Sequence, residues 1–192
     1  MAVLNRPIRT GGARAGPAWL CALALGLGGV PAAAQSDTLE YAVKAAYLYK
    51  FTPFVDWPAT AFAGPSSPFY VCILGADPFG STLDQALDGH SVGEHPIKVR
   101  RIQSPDQAGE CHILYVGAAR SRTVDATLAK LRGAPVLTVS EQGGAGEIVQ
   151  FVIKDGHVRF TIDAAAAAAN HVTISAKLLS LAAATTGDGG RP

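Results

Sequence analysis

The sequence predicts a single α/β domain with three layers and a mixed sheet, ending in a carboxyl-terminal β-hairpin and a closing helix. Short apolar runs bounded by turn residues alternate with amphipathic helical segments, which is typical of strands covered by helices on both faces. Two late strand segments flank Asp155-Gly156, a strong short-range hairpin signal. The length of 192 residues suits one domain, and 48% hydrophobic with 16% charged residues is typical of a globular chain.

The first part of the chain has the pattern of a secretory signal peptide, predicted over residues 1–34. A positive segment carries Arg6, Arg9 and Arg14. The apolar segment at 19–30 (WLCALALGLGGV) follows, and the alanines before Gln35 offer a cleavage site. A membrane span needs about 20 apolar residues, so the short segment favours cleavage, with a retained anchor helix as the alternative. The mature protein is expected to start near Gln35 and to lie in the periplasm.

The charge balance argues against a nucleic-acid partner. The chain has 16 Lys and Arg against 15 Asp and Glu. Three of those arginines belong to the predicted signal peptide, so acidic residues outnumber basic ones in the mature part. Since such a chain has no basic stripe to neutralise phosphates, we exclude nucleic-acid binding.

The first element of the predicted domain, which spans 35–184, is a helix at 38–51. Asp37 and Glu40 have the spacing of a capping box, and apolar residues follow at helical spacing. Prolines after residue 51 end the helix. We expect Val43, Tyr47 and Phe54 to face the core.

The remaining elements follow from apolar runs and from the turn residues between them. FYVCIL at 69–74 and CHILYV at 111–116 predict buried strands. The other predicted strands are 97–102, 136–139, 148–154 and 157–162. Helices are predicted around 83–87, around 124–131, and from an alanine-rich start at 164 through 182. A polar loop at 89–96, a glycine-rich segment at 142–146 and a disordered tail at 185–192 complete the prediction.

Two cysteines, Cys72 and Cys111, remain once the signal peptide is removed. In an oxidising compartment such a pair predicts a disulfide bond. The alternative is a pair of buried free thiols.

Several segments together resemble one known family. They are YAVKAAYLYKF at 41–51, FVDWP at 54–58, CILGADPFG at 72–80, CHILYV at 111–116, LTVS at 137–140, VRFTI at 158–162 and ISAKLLSLA at 174–182. In this order they resemble the YfiR-like family. Two departures lie near the carboxyl-terminal part: the glycine-rich segment is short, and Asn170-His171 stands where a glycine-leucine pair is usual.

The resemblance implies a small periplasmic α/β protein, often a dimer, in which Cys72 and Cys111 are paired. It implies a regulator that inhibits an inner-membrane diguanylate cyclase by contacting its periplasmic sensor domain, with an outer-membrane lipoprotein as a further partner. Because relatives also occur beside sensor kinases, the alternative function is a small-molecule sensor or binding protein that signals through a membrane histidine kinase.

Two sets of candidate binding residues follow. Exposed aromatic residues on a rigid helix are typical contact anchors, so we expect Tyr41, Tyr49 and Trp57 to bind the partner, with core packing as the alternative. An anion site is predicted from Asp77, Arg100 and Arg120. Asp77 follows a buried strand, and arginine suits carboxylates and phosphates. A plain capped turn and solvated arginines are the alternatives.

The sequence does not predict catalysis, a metal or a cofactor. It has no recognisable setting for a serine nucleophile, and no thiol is left if the cysteines pair. His90 and His95 lack the spacing of a zinc site. We interpret His112, which lies in a predicted buried strand, as a core histidine with its hydrogen bonds satisfied.

Overall fold

The structure, a computed structural model, describes residues 32–117 and 121–187. The helices in these residues are α1 (Ala32–Phe51), α2 (Ser81–Leu87), α3 (Ser121–Lys130), α4 (Ala164–Ala169) and α5 (Ala176–Leu181). The strands are β1 (Val55–Asp56), β2 (Phe69–Leu74), β3 (Ser91–Val92), β4 (His95–Ile102), β5 (Ile113–Val116), β6 (Leu137–Ser140), β7 (Val149–Lys154), β8 (His157–Asp163), β9 (Thr173–Ile174) and β10 (Ala184–Thr186). Most of the predicted signal peptide lies outside the described residues.

Eight strands form one mixed sheet in the order β10-β8-β7-β6-β5-β2-β4-β3. Neighbouring strands from β4 through β2, β5 and β6 to β7 run parallel. The hairpin of β7 and β8 is antiparallel, and β1 pairs with β9 in a separate two-stranded ladder. The mixed sheet, the hairpin and the closing helix confirm the predicted fold class.

Both faces of the sheet are covered, because successive strand residues point to opposite sides. On the first face, sheet residues such as Val71 and Ile73 share a core with α1, α2, α4 and α5. On the second face, Leu74 and Leu114 share a smaller core with α3 and with a 3₁₀ helix at Pro105–Glu110. This arrangement gives the three predicted layers.

The rotation of α1 differs from the prediction. Its fully buried residues include Ala45, Leu48 and Phe51, whereas Val43 is 37% exposed, so the expectation that Val43 faces the core was wrong. Residues three and four apart share one side of a helix, and here that side is set by Ala45 and Leu48.

The single helix predicted from 164 to 182 is broken in the structure. Asn170 ends α4, His171 has a positive φ of 56°, and the chain then forms β9 before α5 begins. Asn170 is buried, and its side chain accepts a hydrogen bond from the Gly133 N–H and donates one to the Val136 carbonyl. These contacts with a distant loop fix the break.

Two further predictions need adjustment. Part of the loop predicted at 89–96 is a hairpin, in which β3 pairs with the start of β4 through a turn containing Gly93 at a φ of 58°. At the other end, Thr185 and Thr186 belong to β10, which runs parallel to β8. The predicted boundary between domain and tail after residue 184 therefore falls inside a strand, and residues 188–192 lie outside the described part.

Candidate functional site

The outer side of α1 and the β7–β8 hairpin expose apolar side chains that face one groove of about 560 Å³. Leu39 is 67% exposed, Ile153 is 54% exposed and Val43 is 37% exposed. Together with Tyr47 and Val158 they form what we call the α1–hairpin surface. Contiguous exposed apolar groups of this kind mark binding surfaces more often than isolated ones do.

The floor of the α1–hairpin surface is tied to the core. The ring of Tyr47 meets Phe160 edge-on with centroids 5.5 Å apart, and it lies 6.1 Å from Phe151. Phe151 and Phe160 are both buried strand residues. The groove is therefore held by a helix and a hairpin that share one aromatic cluster.

A smaller apolar cleft of about 240 Å³ continues from Tyr47 along α1 toward α5. Phe54 and Leu178 lie along it, and Leu181 at its edge is 57% exposed. Tyr47 lines both depressions, so the cleft borders the α1–hairpin surface.

A buried lysine helps Ala45 and Leu48 to hold the rotation of α1 that exposes this surface. Lys44 is 1% exposed, and its Nζ lies 2.9 Å from Glu141 after β6 and also pairs with Glu40 one turn earlier. Burial alone lowers the pKa of Lys44, but its hydrogen bonds to Glu40 and Glu141 outweigh this effect and raise the pKa above its ordinary value. Because Lys44 points at the sheet, Leu39 and Val43 are left on the outer side.

Glu141 also accepts a hydrogen bond from the Tyr115 hydroxyl. Burial, followed by this hydrogen bond, raises the pKa of Tyr115, so the phenol stays neutral and acts as a donor. Lys44, Glu141 and Tyr115 thus form a paired network that joins α1 to β5 and β6.

The structure gives each predicted partner-binding residue a contact within the molecule. Tyr41 meets Phe79 edge-on, Tyr49 stacks on His90 with centroids 4.2 Å apart, and the Nε1 of Trp57 donates to the His112 carbonyl at 3.0 Å. All three side chains are half-buried. Their role in partner binding stays a prediction.

Two residues of the predicted anion site, Asp77 and Arg100, lie in the described part of the chain, and each has a different partner. Asp77 accepts hydrogen bonds from the Phe79 and Gly80 N–H groups and from the Nε of Arg101, as in the capped turn that was its alternative. Arg100, the preceding residue of β4, points to the opposite face and bonds to Glu110. Arg120 lies outside the described residues.

The predicted disulfide between Cys72 and Cys111 is present, with Cα atoms 5.9 Å apart. Both cysteines belong to the core of the second face, where the bond joins β2 to the residue two positions before β5. A buried disulfide fits an oxidising compartment.

The interpretation of His112 was half wrong. The imidazole is buried and its Nδ1 accepts a hydrogen bond from the Tyr70 N–H, but its Nε2 has no hydrogen-bond partner among the described residues. The sequence analysis also missed Lys44. The signal that could have revealed it is its spacing, because Lys44 directly precedes Ala45 and lies four residues before Leu48, both of which face inward.

Within residues 32–117 and 121–187, no group of three or more His, Cys, Asp or Glu side chains could hold a metal ion. In the same ranges, no helix has both the length and the hydrophobicity required to cross a bilayer.

A mixed α/β domain with an internal disulfide and an exposed apolar surface is typical of an exported protein that works by binding. A family model described as YfiR/HmsC-like matches residues 41–183, and the chain belongs to this family. The family is known for periplasmic regulators of diguanylate cyclases. A search of curated proteins finds no significant match.

Proposed function

We propose that the chain is a periplasmic binding protein that inhibits a membrane-bound diguanylate cyclase by holding its periplasmic sensor region in the inactive conformation. The α1–hairpin surface carries this proposal. It presents exposed apolar side chains on two rigid elements, in a member of a family of regulators.

Inhibition by binding requires only that the inactive conformation binds more tightly than the active one. A preference of about 3 kcal/mol holds roughly 99% of a balanced two-state partner inactive. Burying roughly 120 Å² more apolar surface in the inactive conformation supplies that preference at about 25 cal/mol per Å². Leu39, Val43 and Ile153 are exposed apolar side chains, and their burial against the inactive conformation supplies this kind of area.

The rim of the groove is polar, which suits a reversible contact. Glu40, His157 and Arg159 line it together with the apolar residues. An apolar centre with a polar edge is the common anatomy of non-obligate interfaces.

The wider assembly belongs to the same proposal. Export through the signal peptide at 1–34 brings the protein to the periplasm, a homodimer is the working unit, and an outer-membrane lipoprotein relieves the inhibition. The alternative partner predicted from the sequence is a membrane histidine kinase. The family match favours the cyclase over the kinase.

The test uses the full chain, exported in cells that carry a membrane diguanylate cyclase with a periplasmic sensor domain from the same genome. Wild type should lower cellular cyclic di-GMP. The substitutions Val43→Asp and Ile153→Asp, made singly, should abolish this effect, because a carboxylate would be buried in the contact. The matched control is Ala126→Asp, which adds the same charge at an exposed position of α3 on the other face of the sheet.

Periplasmic protein level and melting temperature are measured for every variant. Ala126→Asp should inhibit as wild type does. Full inhibition by both Val43→Asp and Ile153→Asp would exclude the α1–hairpin surface, and unchanged cyclic di-GMP with wild type would contradict the regulatory function itself.

A further inference from the structure

The small cleft between α1 and α5 is lined mostly by aromatic and aliphatic side chains. We call it the α1–α5 cleft, and the lining residues that matter are Lys50, Phe51, Phe54, Phe160, Leu178 and Leu181. A methylene group takes up about as much volume as a water molecule, roughly 30 Å³, so the cleft of about 240 Å³ has room for about eight carbon atoms. This volume suits one short hydrocarbon chain.

The floor of the α1–α5 cleft is formed by the core and is in place before anything binds. Phe51, Phe160 and Leu178 are 1%, 4% and 3% exposed. The ring of Phe51 meets Phe160 edge-on with centroids 5.1 Å apart, and Tyr47 stacks on Phe51 at 5.8 Å. Since these side chains are already ordered, a ligand loses little affinity to ordering the site.

The mouth of the cleft is open to solvent. Leu181 is 57% exposed, Pro53 is exposed and Phe54 is half-buried. A ligand therefore reaches the apolar walls without any movement of the protein, and it covers a large apolar side chain that the fold leaves in water.

Two lysines accompany this apolar surface. Lys50 lines the cleft, and the Nζ of Lys177 lies 5.9 Å from the ring centre of Phe54. Both side chains are exposed, and within residues 32–117 and 121–187 neither forms an ion pair with a carboxylate. No Asp or Glu belongs to the described lining of the cleft. The charge of the site is therefore complementary to an anionic group.

The chemistry of the floor restricts the ligand further. Phe51, Phe160 and Leu178 have no side-chain donor or acceptor, so the hydroxyls of a sugar or a nucleotide would lose hydrogen bonds there. A phospholipid with two long chains carries far more hydrocarbon than the roughly eight carbons for which there is room. A single alkyl chain with one negative charge satisfies both restrictions.

We propose that the α1–α5 cleft binds a free straight-chain fatty acid of about eight to ten carbons in its ionised form. The alkyl chain packs on Phe51, Phe160 and Leu178, and the carboxylate lies beside Lys50 and Lys177. This assignment does not depend on the proposed function, because it concerns a site that the protein forms by itself.

The test is isothermal titration calorimetry on the oxidised protein purified from the periplasm. The probes are butanoate, hexanoate, octanoate, decanoate and dodecanoate, each kept below its micelle concentration. From butanoate to octanoate, each added methylene should tighten binding by about fourfold, as expected for its burial. Beyond about ten carbons the gain should level off, because the cleft is full.

The head group is tested at constant chain length. Octanol should bind about fivefold more weakly than octanoate, as expected for loss of two exposed ion pairs, and octyltrimethylammonium should bind more weakly still. In the double variant Lys50→Gln with Lys177→Gln, octanoate should bind only as tightly as octanol does, and the affinity for octanol should stay unchanged. The matched control is Lys98→Gln with Lys154→Gln, which removes the same charge at exposed positions of β4 and β7 and should keep the preference for octanoate.

A further pair of variants tests the apolar wall. Leu181→Asp should weaken octanoate binding by about tenfold, whereas Ala126→Asp, at an exposed position of α3, should leave it unchanged. The melting temperature is recorded for each variant, and the lysine variants decide if Leu181→Asp lowers it.

The proposal would be overturned by equal affinity across the chain-length series, by octanol binding as tightly as octanoate, or by a preference for octanoate that survives in the Lys50→Gln and Lys177→Gln variant. Binding to phosphatidylglycerol vesicles without any response to octanoate would also overturn it, since the lysines would then serve a membrane surface. None of these outcomes bears on the cyclic di-GMP measurement, so the two proposals fail separately.

Discussion

The two ends of the parallel strands differ in whether their polar side chains have partners within the protein. The strand order changes direction between β2 and β5, and α/β proteins commonly hold ligands at the carboxyl end of such a switch point. Here that end is filled by internal pairs. Lys44 bonds to Glu141, and Arg101 bonds to Asp77 and Asp84.

The backbone also closes the carboxyl end. The Gly117 N–H donates to the Leu74 carbonyl at 2.8 Å, and a Cβ at position 117 would collide with the backbone of Ala76. The turn after β2 and the end of β5 therefore meet directly, so the crevice that topology offers is occupied by the chain itself.

The amino end leaves one of its buried donors unsatisfied. His112 is held between aromatic rings with its Nε2–H unmatched among the described residues, next to an open cleft. The strand order predicts where a ligand could bind. A ligand gains hydrogen bonds there only if the polar groups at that position are not already paired within the protein.

The largest expected effect comes from breaking the support of the amino end. The disulfide joins Cys72 to Cys111, the residue before His112. Replacing both cysteines with Ala should lower the free energy of unfolding by about 4 kcal/mol, since the bond closes a loop of roughly 40 residues. Urea unfolding measures this loss.

Hydrogen exchange on the same variant sharpens the comparison. Loss of the disulfide should accelerate exchange of the Tyr70 amide, which bonds to His112, more than exchange of the Gly117 amide at the carboxyl end. Equal acceleration at both amides would show that the disulfide supports the sheet as a whole and not the amino end.

The second effect tests the carboxyl end. Lys44→Met should lower the free energy of unfolding by about 3 kcal/mol, because the partly buried Glu40 and Glu141 would both lose the cation that they share. Urea unfolding measures it. The triple variant with Glu40→Gln and Glu141→Gln should recover part of the loss, and a single Lys44→Met variant as stable as wild type would contradict the role of this network.

The parts of the fold that local sequence determines were predictable. FYVCIL between Pro68 and Gly75 gave the bounds of β2, and Asp155-Gly156 gave the hairpin, because both signals lie within a few residues. The break after α4 was not predictable. It rests on hydrogen bonds between the Asn170 side chain and a loop that is distant in sequence.

The candidate sites likewise combine features that local sequence predicts with features that depend on distant contacts. Strand alternation already requires Arg100 and Arg101 to face opposite ways, but only the positions of Glu110 and Asp77 show which arginine belongs to which face. Likewise, the disulfide followed from two cysteines and a compartment, whereas the orphaned nitrogen of His112 depends on Phe62, Phe69 and Tyr70 together.

The smallest of the three effects concerns a second buried group with an unmatched atom, Glu147, which follows the glycine-rich segment. It is 6% exposed, and its Oε1 has no hydrogen-bond partner in the described part of the chain. Burial raises the pKa of Glu147 from 4.5 to about 7, against weaker opposing hydrogen bonds from Ser140. Between these two values the folded state keeps a proton that the unfolded state has released, so stability falls as the pH rises from 4.5 to about 7.

His112 acts with the opposite sign. Its lowered pKa means that the unfolded state binds a proton first, so stability is lost as the pH falls from 6.5 to about 4. The two groups therefore partly cancel in wild type. Glu147→Gln should stabilise the protein by about 2 kcal/mol near pH 8. Below pH 6.5, the stability of this variant should increase with pH, because only the effect of His112 remains.

Urea unfolding across about pH 5 to 8 measures both slopes. Glu110→Gln, at an exposed carboxylate, is the control and should keep the wild-type profile. A Glu147→Gln variant that is no more stable than wild type at the alkaline end would show that Glu147 is ionised and satisfied in the fold. In that case the Nε2 of His112 would remain as a buried polar atom without a hydrogen-bond partner among the described residues.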